Sequence, residues 1–129
     1  IREWRAFSER FPDQARPWFA LGHALFATSE LDGAIAAYRR AAELDPADPA
    51  KPASMGAALF RKGDMDGSAA AYKAAIQIDP KHPHVRMQFI EMLCGAGRFA
   101  DAKAQLAECR QLGIEIPSQL VRHVENGGK

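Results

Sequence analysis

Three groups of residues in this chain have types and spacings that carry chemistry elsewhere. Gly95-Ala96-Gly97-Arg98-Phe99-Ala100 matches the dinucleotide pattern G-x-G-x-x-A. That pattern cradles a pyrophosphate only where it follows a strand and opens a helix toward the phosphate. Here the glycines end one helical stripe and turn into the next, so they are read as a turn. His82 and His84 flank Pro83 at i, i+2, with His23 and His123 elsewhere. Two such imidazoles supply only part of a metal's ligand set, and no carboxylate or cysteine completes it. Cys94 and Cys109 lack the C-x-x-C spacing, and Cys94 has no base beside it in sequence to make it a thiolate. Cys109 falls where a small residue packs, which places it in the core. No Ser/His/Asp set, paired carboxylates or phosphate loop is present. No catalytic residue, cofactor or metal is therefore expected.

The composition narrows the classes further. Seventeen Lys and Arg against sixteen Asp and Glu leave a formal charge of +1, with the signs interspersed along 129 residues. A nucleic-acid module concentrates basic charge on one face, so nucleic acid is not expected as a partner. The start, IREWRAFSERF, is charged from its second residue and is not a signal peptide. No apolar run reaches the ~20 residues of a membrane helix. Two cysteines make no disulfide framework and fit reduced thiols, which points to the cytoplasm. A hydrophobic share of 47% is enough to bury a core.

Those residues hang on a frame that the chain writes twice. Ala34-Ile35-Ala36-Ala37-Tyr38 through Asp45-Pro46 returns as Ser68-Ala69-Ala70-Ala71-Tyr72 through Asp79-Pro80, an offset of 68 − 34 = 34 residues. A fixed period of this size marks a repeat array. Within it, Trp18, Leu21, Gly22 and Leu25 form one helical stripe, and Leu31, Ala34, Ile35, Tyr38, Ala41 and Leu44 form the next. Two amphipathic helices joined by a short turn pack antiparallel. Helices are predicted near 1–11, 15–28, 31–44, 50–62, 65–78, 83–95, 99–112 and 117–126. Gly22 admits a close second helix opposite Ala34, Tyr38 and Tyr72 wedge between hairpins, and Pro46 stops its helix. Asp48 is expected to cap the fourth helix, with Pro52 making its start irregular. Gly63 eases a turn, and Gly113 is the expected left-handed end of the seventh helix.

W-x2-L-G-x2-L at Trp18–Leu25, then A-x3-Y-x2-A at Ala34–Ala41 and a closing Pro46, resembles the tetratricopeptide repeat. The resemblance implies an all-α, right-handed α–α superhelix, a solenoid of about three repeats. It gives a single domain with repeats at 15–48 and 49–82, a degenerate repeat at 83–116, and a capping helix with its tail at 117–129. Residues 1–14 match the second helix of a repeat, with Trp4 in the place of Tyr38. The chain is thus expected to open inside a repeat whose first half lies outside it. Arg86, Ile90 and Ile114 depart from the pattern in the degenerate repeat.

First helices of such repeats line a concave surface, the usual binding site of solenoids. The register places Phe19, His23 and Phe26 there from one repeat, then Ala53, Ser54, Ala57 and Phe60, then Met87, Gln88 and Glu91. Part of this apolar character supports packing between hairpins, and the remainder is a rather neutral groove. One branch of the family grips chaperone C-termini with a Lys/Asn/Arg clamp. The matching positions here, Phe19, His23, Ser54, His84 and Gln88, are none of those types, so that activity is not implied. Arg16 and Arg61 lie near the edges of the groove, where they could guide an acidic partner, and are read in preference as solvated rim charges.

The leading expectation is a non-catalytic protein-interaction scaffold, binding a peptide or helix in that groove, with no nucleic acid and no membrane insertion. The alternatives are a docking module of a larger enzyme, for which repeat-bearing transferases are the family precedent, and a self-association module in which the groove or an exposed end, such as the one bearing Trp4, Phe7 and Phe11, accepts another copy.

Overall fold

The computed structural model of the protein describes residues 2–127, and among them it has eight helices and no strand. They are α1 Arg2–Arg10, α2 Ala15–Ala27, α3 Leu31–Leu44, α4 Ala50–Lys62, α5 Met65–Ile78, α6 Pro83–Gly95, α7 Phe99–Gln111 and α8 Ser118–Glu125. Every helix expected from the apolar stripes is present, with each described end within one residue of its expected place. The expected start of the first helix at Ile1 lies outside the described residues, as do the last two residues of the tail. No described helix is long and apolar enough to cross a membrane.

The helices gather into two compact units, Ile1–Ile78 and Asp79–Lys129. In the first, α2 packs on α3, α3 on α4 and α4 on α5, with α1 against α2. Its core joins Leu21 and Leu25 of α2 to Ala34, Ile35, Ala37 and Tyr38 of α3, and these to Ala58, Leu59 and Ala71. The glycine–tyrosine pairing explains why the two helices of each hairpin fit. A Cβ on Gly22 would come within 2.5 Å of the Tyr38 ring, and one on Gly56 within 2.9 Å of Tyr72. The group over Gly22 is therefore the wedge ring rather than Ala34. In the next repeat the Ser68 backbone also closes on Gly56, and the Ser68 hydroxyl donates to the Gly56 carbonyl at 2.6 Å.

Three helix ends of the repeating frame use one device. At α2, α4 and α6 a residue with positive φ stands just past the helix, at Ser29 (63°), Gly63 (98°) and Gly97 (75°), each 34 residues from the last. The following N–H closes back on the helix, as in Glu30 to Leu25 at 2.9 Å and Asp64 to Leu59 at 2.9 Å. Gly95–Ala100 is thus a helix end and turn, and Gly113 ends α7 the same way at φ 75°. Ser29 is the sole described residue other than glycine in this conformation.

Pro52 perturbs α4 less than expected. Pro49 stands before the first helical residue and the Asp48 carboxylate accepts from the Ala50 N–H at 2.9 Å. Pro52 is then the third residue of the first turn, where no intrahelical donor is required, and the Ala53 N–H bonds to Pro49.

In the second unit α6 packs on α7, and α8 covers both, burying Val124 completely. His82 stands just before α6 and caps it: its Nδ1 accepts from the Val85 N–H at 3.2 Å. Arg86, a break in the repeat pattern, is 4% exposed. Its guanidinium donates to the Pro80 carbonyl, Gln105 Oε1 and Glu108 Oε2 at 3.0, 2.8 and 2.7 Å. Ile90, in the packing-glycine position, is fully buried.

Candidate functional site

The expected groove residues of the first unit come from α2 and α4, and the structure divides them into two kinds. Ala53 is 3% exposed and is a core residue, so a partner cannot touch it. The register sets its side chain under the face instead of on it. Phe19, Phe26, Ser54, Ala57 and Phe60 are half-buried, and His23 is exposed. Phe19 and Phe26 lean on the apolar core beneath them.

Each of those two rings also meets a cation from α4. The Lys51 ammonium lies 4.9 Å from the Phe19 centroid, and the Arg61 guanidinium lies 4.7 Å from that of Phe26. Lys51 is 7% exposed and held by Asp48 at 2.6 Å and Asp45 at 3.2 Å. Burial alone would lower its pKa, but the hydrogen bonds and charges of Asp48 and Asp45 outweigh that and raise it. Its charge is thus neutralised within the protein. Arg61 is fixed differently, donating to the Ser29 hydroxyl at 2.9 Å and the Phe26 carbonyl at 3.4 Å. It is not a freely solvated rim charge.

His23 sits between aromatic edges, 4.4 Å from the Phe19 centroid and 5.3 Å from that of Tyr38. Its Nδ1 is 2.9 Å from the Tyr38 hydroxyl, which donates when Nδ1 carries no proton. Burial lowers the His23 pKa and pushes that of Tyr38 up to about 12. One imidazole nitrogen therefore serves the wedge.

On α6, Met87 and Gln88 are half-buried and Glu91 is exposed. Cys94 and Cys109 are buried, and burial raises both thiol pKa values, which disfavours the nucleophilic thiolate. His84 lies in the first turn of α6, its ring 6.5 Å from that of His82. Among the described residues no group of three or more His, Cys, Asp or Glu is placed to hold a metal.

Sequence reasoning missed Lys51 and Ser29 as parts of this face, and it placed Arg61 at the rim without its anchors. The Asp48–Lys51 spacing of i, i+3 was the one local signal for the first. Nothing local ties Arg61 to Ser29, 32 residues earlier.

Models of the tetratricopeptide repeat match residues 1–49 and 59–110. Among solved structures, a crystal structure of MamA is similar with a TM-score of 0.75 at 22% identity, covering 85% of this chain and 64% of that one. The crystal structure of yeast Tom70 matches with a TM-score of 0.75 at 22% identity over 93% of this chain and 24% of that one. The chain thus spans less than two thirds of the length of each. No curated protein matches the sequence significantly. The glycine–tyrosine packing, the repeating helix ends and the two matching models together place this chain in the tetratricopeptide-repeat family.

Proposed function

We propose that the chain is a non-catalytic protein-interaction scaffold, and that in its first unit the partner rests on the face formed by α2 and α4. The observation that carries this reading is the set of half-buried Phe19, Phe26 and Phe60, the last two related by the 34-residue register, with small, half-buried Ser54 and Ala57 on the same helix as Phe60. Small residues leave room, and aromatic edges offer apolar area that a peptide or helix would cover. Met87, Gln88 and Glu91 hold the corresponding register on α6 and carry the same reading for the second unit.

Ala57→Glu together with Ser54→Glu tests it, because both side chains are half-buried and neither takes part in the cation–aromatic contacts. The pair should abolish capture of peptides selected on the native protein while leaving the helical spectrum unchanged. Unchanged capture would move the site elsewhere.

A second reading has one observation behind it. Trp4 and Phe7 on α1 are 42% and 46% exposed, with Trp4 meeting the edge of Phe7 at 6.4 Å. We infer self-association through α1, which Trp4→Ser with Phe7→Ser would remove. Sedimentation showing a monomer at every concentration of the native chain would dismiss it.

A further inference from the structure

We propose that Arg61 is a specificity-determining residue that selects partners carrying a carboxylate beside their apolar segment. The inference rests on the α2/α4 face being the binding surface.

It starts from a backbone conformation. At the repeating helix end, α4 and α6 use Gly63 and Gly97, and α2 uses Ser29 at φ 63°. A residue with a Cβ is disfavoured there by ~1–2 kcal/mol, and strain of this kind is kept where the side chain has a role. The Ser29 hydroxyl has one, since it accepts from Arg61 at 2.9 Å. The Phe26 ring and carbonyl supply the other two restraints on that guanidinium, at 4.7 Å and 3.4 Å.

The result is an exposed arginine restrained against an aromatic of the proposed binding face. The ion pairs of this unit engage Arg40, Lys51 and Lys62, and among the described residues Arg61 has no carboxylate. A guanidinium has more N–H donors than these two contacts use, and its fork matches a carboxylate in two parallel bonds. Restraining it beforehand reduces the entropy lost when a ligand binds. Lys51, its counterpart on Phe19, already has two carboxylates and offers a partner no such contact. The cation without a carboxylate therefore stands at the Arg61 end of the face, which sets the direction of the peptide. The occupant is an apolar peptide or helix with an Asp, Glu or terminal carboxylate at its Arg61 end.

A phage-displayed random peptide library, selected on the full chain, tests this. The native protein should enrich apolar sequences with an acidic residue at one fixed end. Arg61→Gln should keep the apolar enrichment and lose the acidic one. Ser29→Gly, which relieves the backbone while removing one anchor, should weaken the acidic preference without loss of stability. For the best peptide, Glu→Gln in the ligand or Arg61→Gln in the protein should each cost about two- to fivefold in affinity, with no further loss when combined, as for an exposed ion pair. Native and Arg61→Gln affinities should converge as salt rises. Apolar enrichment with no acidic position, or an acidic preference that survives Arg61→Gln, overturns the role of Arg61 and leaves the surface standing. Enrichment that survives Ala57→Glu with Ser54→Glu, or a library that yields no binder, counts against the surface itself and the inference with it.

Discussion

The hydroxyl of Tyr38, a ring only 1% exposed, lies 2.9 Å from Nδ1 of the exposed His23. The wedge that holds the first repeat together is thereby joined to the face proposed to bind a partner. Ala57 stands in the His23 place one repeat later, and its methyl group cannot make this bond.

Stability should fall at both pH extremes through this pair. The folded His23 pKa lies below its usual 6.5, so on acidification the unfolded chain takes the proton first. Stability is complete above that usual value and declines as pH falls through it toward the folded one. Tyr38 acts in the opposite direction. Its pKa rises from 10.0 to about 12, so stability is complete below 10 and lost as pH climbs between those values. Urea midpoints of the native chain and His23→Asn, compared across pH, should differ less as pH falls below 6.5.

The glycine–tyrosine contacts make a second expectation quantitative. Gly22→Ala would drive a Cβ into the Tyr38 ring, and such overpacking costs about 1–3 kcal/mol. Tyr72→Ala should destabilise by about 3–5 kcal/mol, the range for deleting a buried aromatic. Denaturant unfolding measures both. A neutral Gly22→Ala would mean the ring moves aside freely.

Buried cations give a third. Arg86→Met removes a guanidinium joining α6 to α7 and leaves Gln105 and the Pro80 carbonyl without their donor, at a cost of about 2–4 kcal/mol. Lys51→Met should cost less, about 1–2 kcal/mol, because Asp45 and Asp48 are partly solvated and rehydrate when it leaves. Arg86→Met as mild as a surface change would deny the α6–α7 tie its structural weight.

The helices and the hairpin packing were legible because they depend on local spacing. The 34-residue offset aligns Tyr38 with Tyr72 and Gly22 with Gly56, and the apolar stripes then set the helix bounds. The polar interior was not legible. Arg86 reads from sequence only as a departure from the repeat pattern, since its carboxylate partner Glu108 lies 22 positions on and becomes a neighbour only when α7 folds back. Register alone puts Ala53 on the groove, yet whether a small side chain is covered depends on what crosses it. Ser29 reads as a helix break, and only the backbone reveals that it occupies a glycine's conformation.

The most direct measurement of the central claim is a nuclear magnetic resonance titration of the 14.1 kDa chain with its best library-selected peptide. Binding at the α2/α4 face should shift the amide signals of Phe19, His23, Ser54, Ala57, Phe60 and Arg61 most, leaving the solvent-facing residues of α3 and α5, such as Arg39 and Lys73, unmoved. Shifts concentrated on Arg39 and Lys73, or on Trp4 and Phe7 of α1, with the α2/α4 signals unchanged, would contradict it.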